Sequence, residues 1–516
     1  MTIKAEKMDK GGNGGAGNGA GAVSKNLTPY SGYHSNAAVA HDPEITETGP
    51  GTPTGEYMRR FWHPVCMSME LSDTPRFMKI LSEELVVFRD GSGAVGVLHA
   101  HCVHRGASLE YGAIQQHGIR CCYHGMVFDV DGACLHVPYP KGEEKEAEKY
   151  ACSIRQGAYK AVERNGLVFA YMGPPDEEPP FPEWEGNFTV LPTDELVPYS
   201  NFQHCNWLQV QDNAADNYHP TALHSSKNVV GGHFQGTTFD EVGAASMEVA
   251  PDMQFIPVQQ GRGLACAGAR RVDKDRLFVR VQHQALPNLS LHAYTSEDGA
   301  KKKLFSRFHI IRWTVPVDDH NSKMIGWRVM GPGIDTRGVG KKEWVGYETI
   351  DFLEGQVALR KPERFDGFTL EDMPPIPTEH RERANYKQAQ YAPGDYEAII
   401  SQRPIAVHGL EHPTKFDAGV FLFRKLLRDA VRGTNPAATP LQFSDWLKSV
   451  GGAPNSVCSG NVFDIPVAAT VEEEIANRRR VTKAIVAILA ESEPLKGEAR
   501  AAFVSARFEE LEQSAQ

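Results

Sequence analysis

The stretch from Cys102 to His124, CVHRGASLEYGAIQQHGIRCCYH, constrains the fold of this chain more than any other part of it. Cys102 and His104 form a C-x-H pair, sixteen residues follow, and Cys121 and His124 form a C-x-x-H pair. A glycine lies within two residues after each pair. Two thiols and two imidazoles are a complete set of four metal donors, so the stretch predicts two loops that hold one metal centre.

Two kinds of metal centre use this combination of donors. Zinc fingers and ribbons normally pair C-x(2-4)-C with H-x(3-5)-H, which differs from the spacing here. A 2Fe-2S cluster with two thiolates on one iron and two imidazoles on the other requires mirrored Cys/His pairs of this kind. The spacing favours the iron-sulfur cluster, and a zinc site or unrelated core residues remain alternatives.

With its flanking residues, His104-Arg105-Gly106 and His124-Gly125, the stretch resembles the Rieske domain of ring-hydroxylating oxygenases. The high-potential membrane type of Rieske protein joins its two loops by a disulfide, and the corresponding positions here are Ala107 and Tyr123. The resemblance is therefore to the lower-potential oxygenase type. It implies that a Rieske 2Fe-2S cluster is bound by four residues: Cys102, His104, Cys121 and His124.

Length and charge narrow the class of protein. A chain of 516 residues favours two or three domains, and a net charge of -11 argues against a nucleic-acid or anionic-membrane surface. Nine irregularly spaced cysteines do not form a disulfide framework. Because there is neither a long apolar run nor a signal-peptide pattern, we expect no membrane span and a cytoplasmic location.

Patterning along the chain predicts several elements. Residues 78–171 contain short apolar runs separated by turns, which is typical of a small all-β domain. A proline-rich break at 173–182 predicts a linker, and alternation at 277–286, 309–317 and 324–330 predicts an antiparallel sheet. Capping boxes at Thr414/Asp417 and Thr470/Glu473 predict helices over 418–432 and to about 490, with a further helix from 497 to the end.

A second donor-rich motif follows, D-x-x-H-x(4)-H, formed by Asp216, His219 and His224. Histidines at i and i+5 do not share a face of a regular helix. Pro220 disturbs the helix at this point, so a bent or broken helix could bring the two rings together. Two imidazoles and a carboxylate suit non-haem iron, although the motif alone leaves ordinary histidines as an alternative.

Together with Asn206-Trp207 and the upstream cluster motif, this segment resembles the catalytic domain of Rieske non-haem iron oxygenases, in the phthalate dioxygenase and aryl O-demethylase branch. The resemblance implies that His219 and His224 bind a mononuclear Fe(II). It also implies that Asp216 carries electrons to this iron from the cluster of a neighbouring subunit.

The third iron ligand is a carboxylate with several candidates in the sequence: Asp351, Glu354, Asp366, Asp372, Asp395, Glu397 and Asp417. In the family branch, this ligand precedes a Pro-Ile pair by about nine residues. Pro404-Ile405 stands in that register here, so the resemblance selects Asp395.

The resemblance implies an α+β protein with an N-terminal all-β Rieske domain and a helix-grip catalytic domain, in which an antiparallel sheet packs with helices. A C-terminal helical extension follows. The expected divisions are a disordered Gly-rich tail, the Rieske domain with a helical lead-in, the mononuclear iron domain and the helical extension, at residues 1–25, 26–178, 179–435 and 436–516.

The function implied is that of the oxygenase component of a multicomponent enzyme. It would take electrons from an NADH-dependent flavin and iron-sulfur reductase, with or without a ferredoxin, and act with O2 on an aromatic compound by hydroxylation, dihydroxylation or O-demethylation. A homotrimer or homohexamer is expected. The alternatives are a Rieske-type electron-transfer or redox-sensing protein with a vestigial catalytic site, and a zinc-bound scaffold. Phe308, Arg312 and Trp313 are candidates to line the substrate funnel, or ordinary sheet residues.

Overall fold

The computed structural model describes residues 29–30, 32, 40–184, 195–225, 241–293, 304–305, 308–330, 381, 386–391 and 393–516. The predicted tail at 1–25 lies outside these residues. Within the described ranges, no helix is both long enough and apolar enough to cross a membrane.

The N-terminal part begins with two short helices and continues with two antiparallel sheets and one further helix. Thr52 caps the second helix by accepting a hydrogen bond from Gly55 N, and proline occupies its first turn. The larger sheet has the order β1-β10-β9-β4-β3-β2, and the smaller one β5-β6-β7-β8. The bounds are α1 Pro43–Thr46, α2 Pro53–Arg59, β1 Trp62–Met67, β2 Arg76–Ile80, β3 Glu83–Arg89, β4 Val95–His99, β5 Ala113–Ile114, β6 Ile119–Arg120, β7 Val127–Phe128, β8 Cys134–His136, α3 Glu144–Ala151, β9 Ala158–Arg164 and β10 Leu167–Tyr171.

The second part contains an antiparallel sheet of eight strands in the order β11-β17-β16-β15-β14-β13-β12, with β18 paired to β14 off this path. The three strands predicted from alternation are confirmed as β14, β16 and β17. The strand bounds are β11 Glu195–Gln203, β12 Asp252–Val258, β13 Gly263–Arg271, β14 Leu277–Ala285, β15 Leu289–Ala293, β16 Phe308–Asp318, β17 Asn321–Met330 and β18 Ser459–Phe463.

Helices cover this sheet and form most of the C-terminal part. Both predicted capping boxes are confirmed, since Thr414 and Asp417 precede α9, and Thr470 and Glu473 begin α11. The bounds are α4 Trp207–Ala215, α5 Pro220–Leu223, α6 Glu241–Glu248, α7 Tyr386–Tyr391, α8 Asp395–Ile400, α9 Ala418–Val431, α10 Pro440–Ser449, α11 Val471–Glu491 and α12 Gly497–Ala515.

The C-terminal extension does more than add helices. Its strand β18, which the sequence did not predict, pairs with the first half of β14 from Leu277↔Phe463 to Val281↔Ser459. Apolar residues of α11, among them Ile485 and Leu489, pack with buried residues of β13 and β14 in a second hydrophobic core. The extension is therefore part of the catalytic sheet and its packing.

A single hydrophobic core crosses the proline-rich segment that predicted a linker. Phe169 of β10 contacts Phe181 at 5.0 Å and Trp313 of β16 at 5.4 Å between ring centroids. Trp184 is only 3% exposed. The prolines break secondary structure here, but the aromatic side chains between them pack both sheets into one body.

Candidate metal centres

The two cluster loops repeat the same backbone hydrogen bonds. In each, the cysteine carbonyl accepts from a glycine N–H four residues later, Gly106 to Cys102 at 2.8 Å and Gly125 to Cys121 at 3.0 Å. Each cysteine N–H donates to the carbonyl five residues later, at 2.9 and 2.8 Å. Both glycines have positive φ, 75° and 72°, a region in which L side chains are strained. The glycines in the motif are thus required by the shape of the loops.

The four predicted cluster ligands converge from these loops. Cys102 and Cys121 are buried, His104 is exposed and His124 is half-buried. The two imidazole centroids are 4.6 Å apart with planes at 73°. Burial, together with the nearby Cys121 thiol, raises the pKa of the Cys102 thiol to about 11.

This donor set fits an iron-sulfur cluster. Two adjacent buried thiols cannot both ionise without a compensating cation, and a coordinated metal deprotonates them outright. The imidazoles lie on the solvent side of the thiols. Cys102, Cys121, His104 and His124 would hold such a cluster, which would supply electrons one at a time.

The second motif folds as two helices with a break between them. Helix α4 ends at Ala215, and α5 begins at Pro220. The break lets the rings of His219 and His224 approach to 5.4 Å between centroids, although their spacing is wrong for one regular helix. The predicted broken helix is confirmed.

The structure brings both histidines to Asp395, the first residue of α8. Asp395 Oδ1 lies 3.1 Å from His224 Nε2 and 3.4 Å from His219 Nε2. One ligand atom from each of the three residues lies within 4.8 Å of the other two. Of the described residues, no other group of His, Cys, Asp and Glu side chains meets this condition for a metal ion.

The charged side chains at this site shift one another's pKa values. Burial alone would lower the pKa of His219, but the carboxylates of Asp216 and Asp395 outweigh burial and raise it to about 9. Burial raises the pKa of Asp395, whereas His224 and His219 hold it well below its usual range. The site therefore attracts positive charge, and its two imidazoles and one carboxylate are the facial triad that suits non-haem Fe(II).

The other candidates for the third iron ligand have different surroundings. Glu397 Oε2 accepts from Gly394 N at 2.9 Å, and Asp417 Oδ2 accepts from Thr414 N at 2.7 Å, so both cap helices. The remaining four candidates, Asp351, Glu354, Asp366 and Asp372, lie outside the described residues.

Asp216 stands at the end of α4 beside the triad. Its Oδ2 lies 3.5 Å from His219 Nδ1, and its Oδ1 accepts from Tyr218 N at 2.8 Å. Burial raises the pKa of Asp216, but His219 outweighs it and the net pKa is lowered. Asp216 and His219 both line a surface cavity of about 470 Å³. Asp216 thus lines this cavity and also lies next to a predicted iron ligand, His219.

Sequence reasoning missed two further features of the site. Asn213 Nδ2 donates to Asp395 Oδ1 at 3.3 Å. Arg424, on the buried face of α9, donates through Nη2 to Asp212 Oδ2 at 2.6 Å and through Nη1 to Glu411 Oε2 at 2.7 Å. An arginine on the apolar face of a helix is a signal that could have been noticed, because a buried guanidinium needs a paired carboxylate.

Comparison with known proteins decides the family. Residues 61–153 match the Rieske [2Fe-2S] domain. The chain is 45% identical over 416 residues to the tert-butanol monooxygenase / tert-amyl alcohol desaturase oxygenase subunit of Aquincola tertiaricarbonis, covering 79% of this chain and 81% of that protein. The chain belongs to the family of Rieske oxygenase subunits.

A further relative agrees on the family, and a solved structure agrees on the fold. The phenoxybenzoate dioxygenase subunit alpha of Ectopseudomonas oleovorans is 31% identical, over 82% of this chain and 95% of that protein. The solved structure of NdmB from Pseudomonas putida CBB5 superposes with a TM-score of 0.50 at 16% identity, covering 78% of this chain and 98% of that one. The predicted recognition, fold class and enzyme class are confirmed: this Rieske oxygenase subunit is an α+β oxidoreductase with an N-terminal Rieske domain.

Proposed function

We propose that this Rieske oxygenase subunit binds its 2Fe-2S cluster through Cys102, His104, Cys121 and His124, and a mononuclear Fe(II) through His219, His224 and Asp395. The observation that carries the proposal is the convergence of the three iron donors within 4.8 Å. When bound, Fe(II) with these three ligands keeps positions open for dioxygen and substrate, and the cluster supplies electrons singly.

The side chains around the triad have separable tasks. Asn213 donates to the same carboxylate oxygen that faces both histidines, which orients Asp395 toward them. Asp216 accepts from the backbone of Tyr218 and approaches His219 Nδ1, so it sets the orientation of this imidazole. We propose that Asp216 is also the bridge through which electrons reach the iron.

The electron donor is a separate protein, which we propose to be an NADH-dependent flavin and iron-sulfur reductase, acting directly or through a ferredoxin. A homotrimer or homohexamer would let the exposed His104 of one subunit approach the cavity beside Asp216 of the next. Two observations support this arrangement: the imidazole side of the cluster loops is exposed, and the Asp216 cavity opens to the surface. The domain divisions predicted above belong to the same proposal.

For the substrate, we propose an aromatic compound that is hydroxylated, dihydroxylated or O-demethylated. The relative named for phenoxybenzoate supports this class. A second candidate is a small tertiary alcohol, because the relative with 45% identity is named for tert-butanol and tert-amyl alcohol.

The test is EPR of anaerobic, dithionite-reduced protein together with iron per chain. The proposal predicts a rhombic Rieske signal and about three irons per chain, two in the cluster and one at the triad. His219→Ala should lower the iron content by about one per chain and leave the EPR signal unchanged. About two irons per chain in active wild-type protein would refute the mononuclear site and favour an electron carrier.

A further inference from the structure

Among the cationic and imidazole side chains on one face of the catalytic sheet, three lie on its central strands: Arg280 of β14, His292 of β15 and Arg312 of β16. We call them the cationic strip. Cross-strand pairs Gln284↔Ser290 and Ser290↔Arg312 place residues of the same parity on one face. The members of the strip are half-buried, whereas most residues of the three strands are fully buried. The strip residues are therefore less fully enclosed than their neighbours on the same strands.

This face is the one that carries the iron site. Gln211 of α4 donates to Gln284 Oε1 at 2.9 Å and to Ser290 Oγ at 3.0 Å. Ser290 is the direct cross-strand neighbour of Arg312. Burial, Arg312 and Arg280 hold the pKa of His292 well below its usual range, and the Asp395 carboxylate acts on it in the opposite direction. The strip and the proposed iron ligand are thus within electrostatic reach of each other.

Two donor groups of the strip have no partner among the described residues. Arg280 donates hydrogen bonds from Nε and Nη2 to the carbonyl oxygen of Ala293, at 3.1 and 2.9 Å. These bonds hold its guanidinium in position. In the part of the chain that the structure describes, Arg312 Nε and His292 Nε2 are buried and have no hydrogen-bond partner. Buried polar groups are normally satisfied, so a missing partner at such a place points to a ligand.

The described strands beside the strip bring no carboxylate to its arginines. Glycines stand opposite both arginines, Gly268 and Gly460 beside Arg280 and Gly326 beside Arg312. On this face of β13 to β17, none of the described residues is acidic. Two guanidinium groups without a neighbouring carboxylate on their sheet favour an anion with several oxygen acceptors.

We propose that Arg280, His292 and Arg312 bind an anionic group of the substrate, a carboxylate or a sulfonate, and thereby orient the rest of the molecule toward the iron triad. The inference rests on the proposed function and narrows its substrate to an organic acid. It also separates the two substrate candidates, because a neutral tertiary alcohol would leave the guanidinium groups unpaired. A site built for such bonds discriminates strongly against a ligand that lacks the acceptors.

Calorimetric titration of the holoenzyme tests the inference with benzoate, benzenesulfonate and the neutral isostere benzamide. We expect benzoate to bind at least about tenfold more tightly than benzamide, and benzenesulfonate to compete with it. Arg312→Gln and Arg280→Gln should each remove most of this preference. Arg276→Gln is the matched control, four residues before Arg280 and ion-paired with Glu241 and Asp273, and it should keep the preference.

The inference is overturned if neither anion binds more tightly than benzamide, or if both strip variants retain the wild-type preference. Iron content and circular dichroism of the same samples show whether the variants are folded and loaded. Failure of the proposed function would be seen in a different measurement. In that case His219→Ala would leave the iron content per chain unchanged, whether or not benzoate binds.

Discussion

The four proposed cluster ligands lie between residues 102 and 124, whereas the three proposed iron ligands lie between residues 219 and 395. The cluster loops are shaped by backbone hydrogen bonds within each loop and by two glycines of positive φ. The proposed iron site depends on a helix break and on a carboxylate brought by α8 from far along the chain. A local motif can therefore be recognised by spacing, while a site assembled from distant segments needs the tertiary fold to complete it.

The largest effects should come from removing a ligand at either centre. Cys121→Ser should abolish the cluster EPR signal, because a hydroxyl is a poor iron ligand compared with a thiolate, and should leave mononuclear iron in place. Asp395→Ala should do the reverse, and both should abolish turnover. Iron analysis and EPR measure both losses. If either substitution removes both metals, the two centres are not built independently.

The second largest effect should come from Arg424→Met. This variant tests whether the region around the proposed iron ligands depends on ion pairs between residues that are far apart in the chain. The change leaves Asp212 buried and both carboxylates without their cation, so we expect a loss of about 3 to 5 kcal/mol in the free energy of unfolding. Urea denaturation measures it. Arg155→Gln, which removes an exposed ion pair with Asp131, is the control and should cost less than about 1 kcal/mol. Equal losses in the two variants would contradict a structural role for Arg424.

Asp216→Asn tests the connection between the two centres. Asparagine keeps the shape of the side chain and removes the charge beside His219, so both metals should stay bound while substrate-dependent reoxidation of the cluster slows roughly 10- to 100-fold. Stopped-flow absorbance of the reduced protein after mixing with O2 measures the rate. Asp445→Asn, a half-exposed aspartate paired only with Lys448 among the described residues, is the control. An unchanged rate in Asp216→Asn would exclude Asp216 as the bridge.

The smallest effect should come from Asp90→Asn in the Rieske domain. Asp90 Oδ2 accepts from Gly118 N at 2.9 Å and Oδ1 accepts from Ala94 N at 3.0 Å, which connects the β3–β4 turn to the hairpin before Cys121. Burial raises the pKa of Asp90, but hydrogen bonds from Ser92, Gly118 and Ala94 outweigh it and lower the pKa. We expect a loss of about 1 kcal/mol at neutral pH.

The direction of this pKa shift predicts how the stability difference between wild type and Asp90→Asn depends on pH. Because the folded pKa lies below the unfolded value of about 3.9, the carboxylate stabilises the fold above that pH, and the contribution is lost as the pH falls through the folded pKa. The difference between wild type and Asp90→Asn in thermal unfolding should shrink below about pH 4. A difference that stays constant to lower pH would show that the charge of Asp90 contributes nothing.

The sequence by itself determined the features that depend on neighbouring residues. The capping boxes of α9 and α11, the break before Pro220 and the alternating strands of the catalytic sheet follow from hydrogen bonds and side-chain periodicity within a few residues. The same holds for the C-x-H and C-x-x-H loops. For Asp395, the choice among seven carboxylates came from a family resemblance, since nothing in its local sequence marks it.

Only the tertiary structure decided which distant groups meet. It brought Asn213 to Asp395, paired Arg424 with Asp212 and Glu411, and inserted β18 from the C-terminal extension beside β14. It also packed the aromatic residues of the proline-rich segment into the core, where the sequence predicted a linker. Such contacts depend on which faces become buried together and on where charges find partners, and neither is encoded in the spacing of residues along the chain.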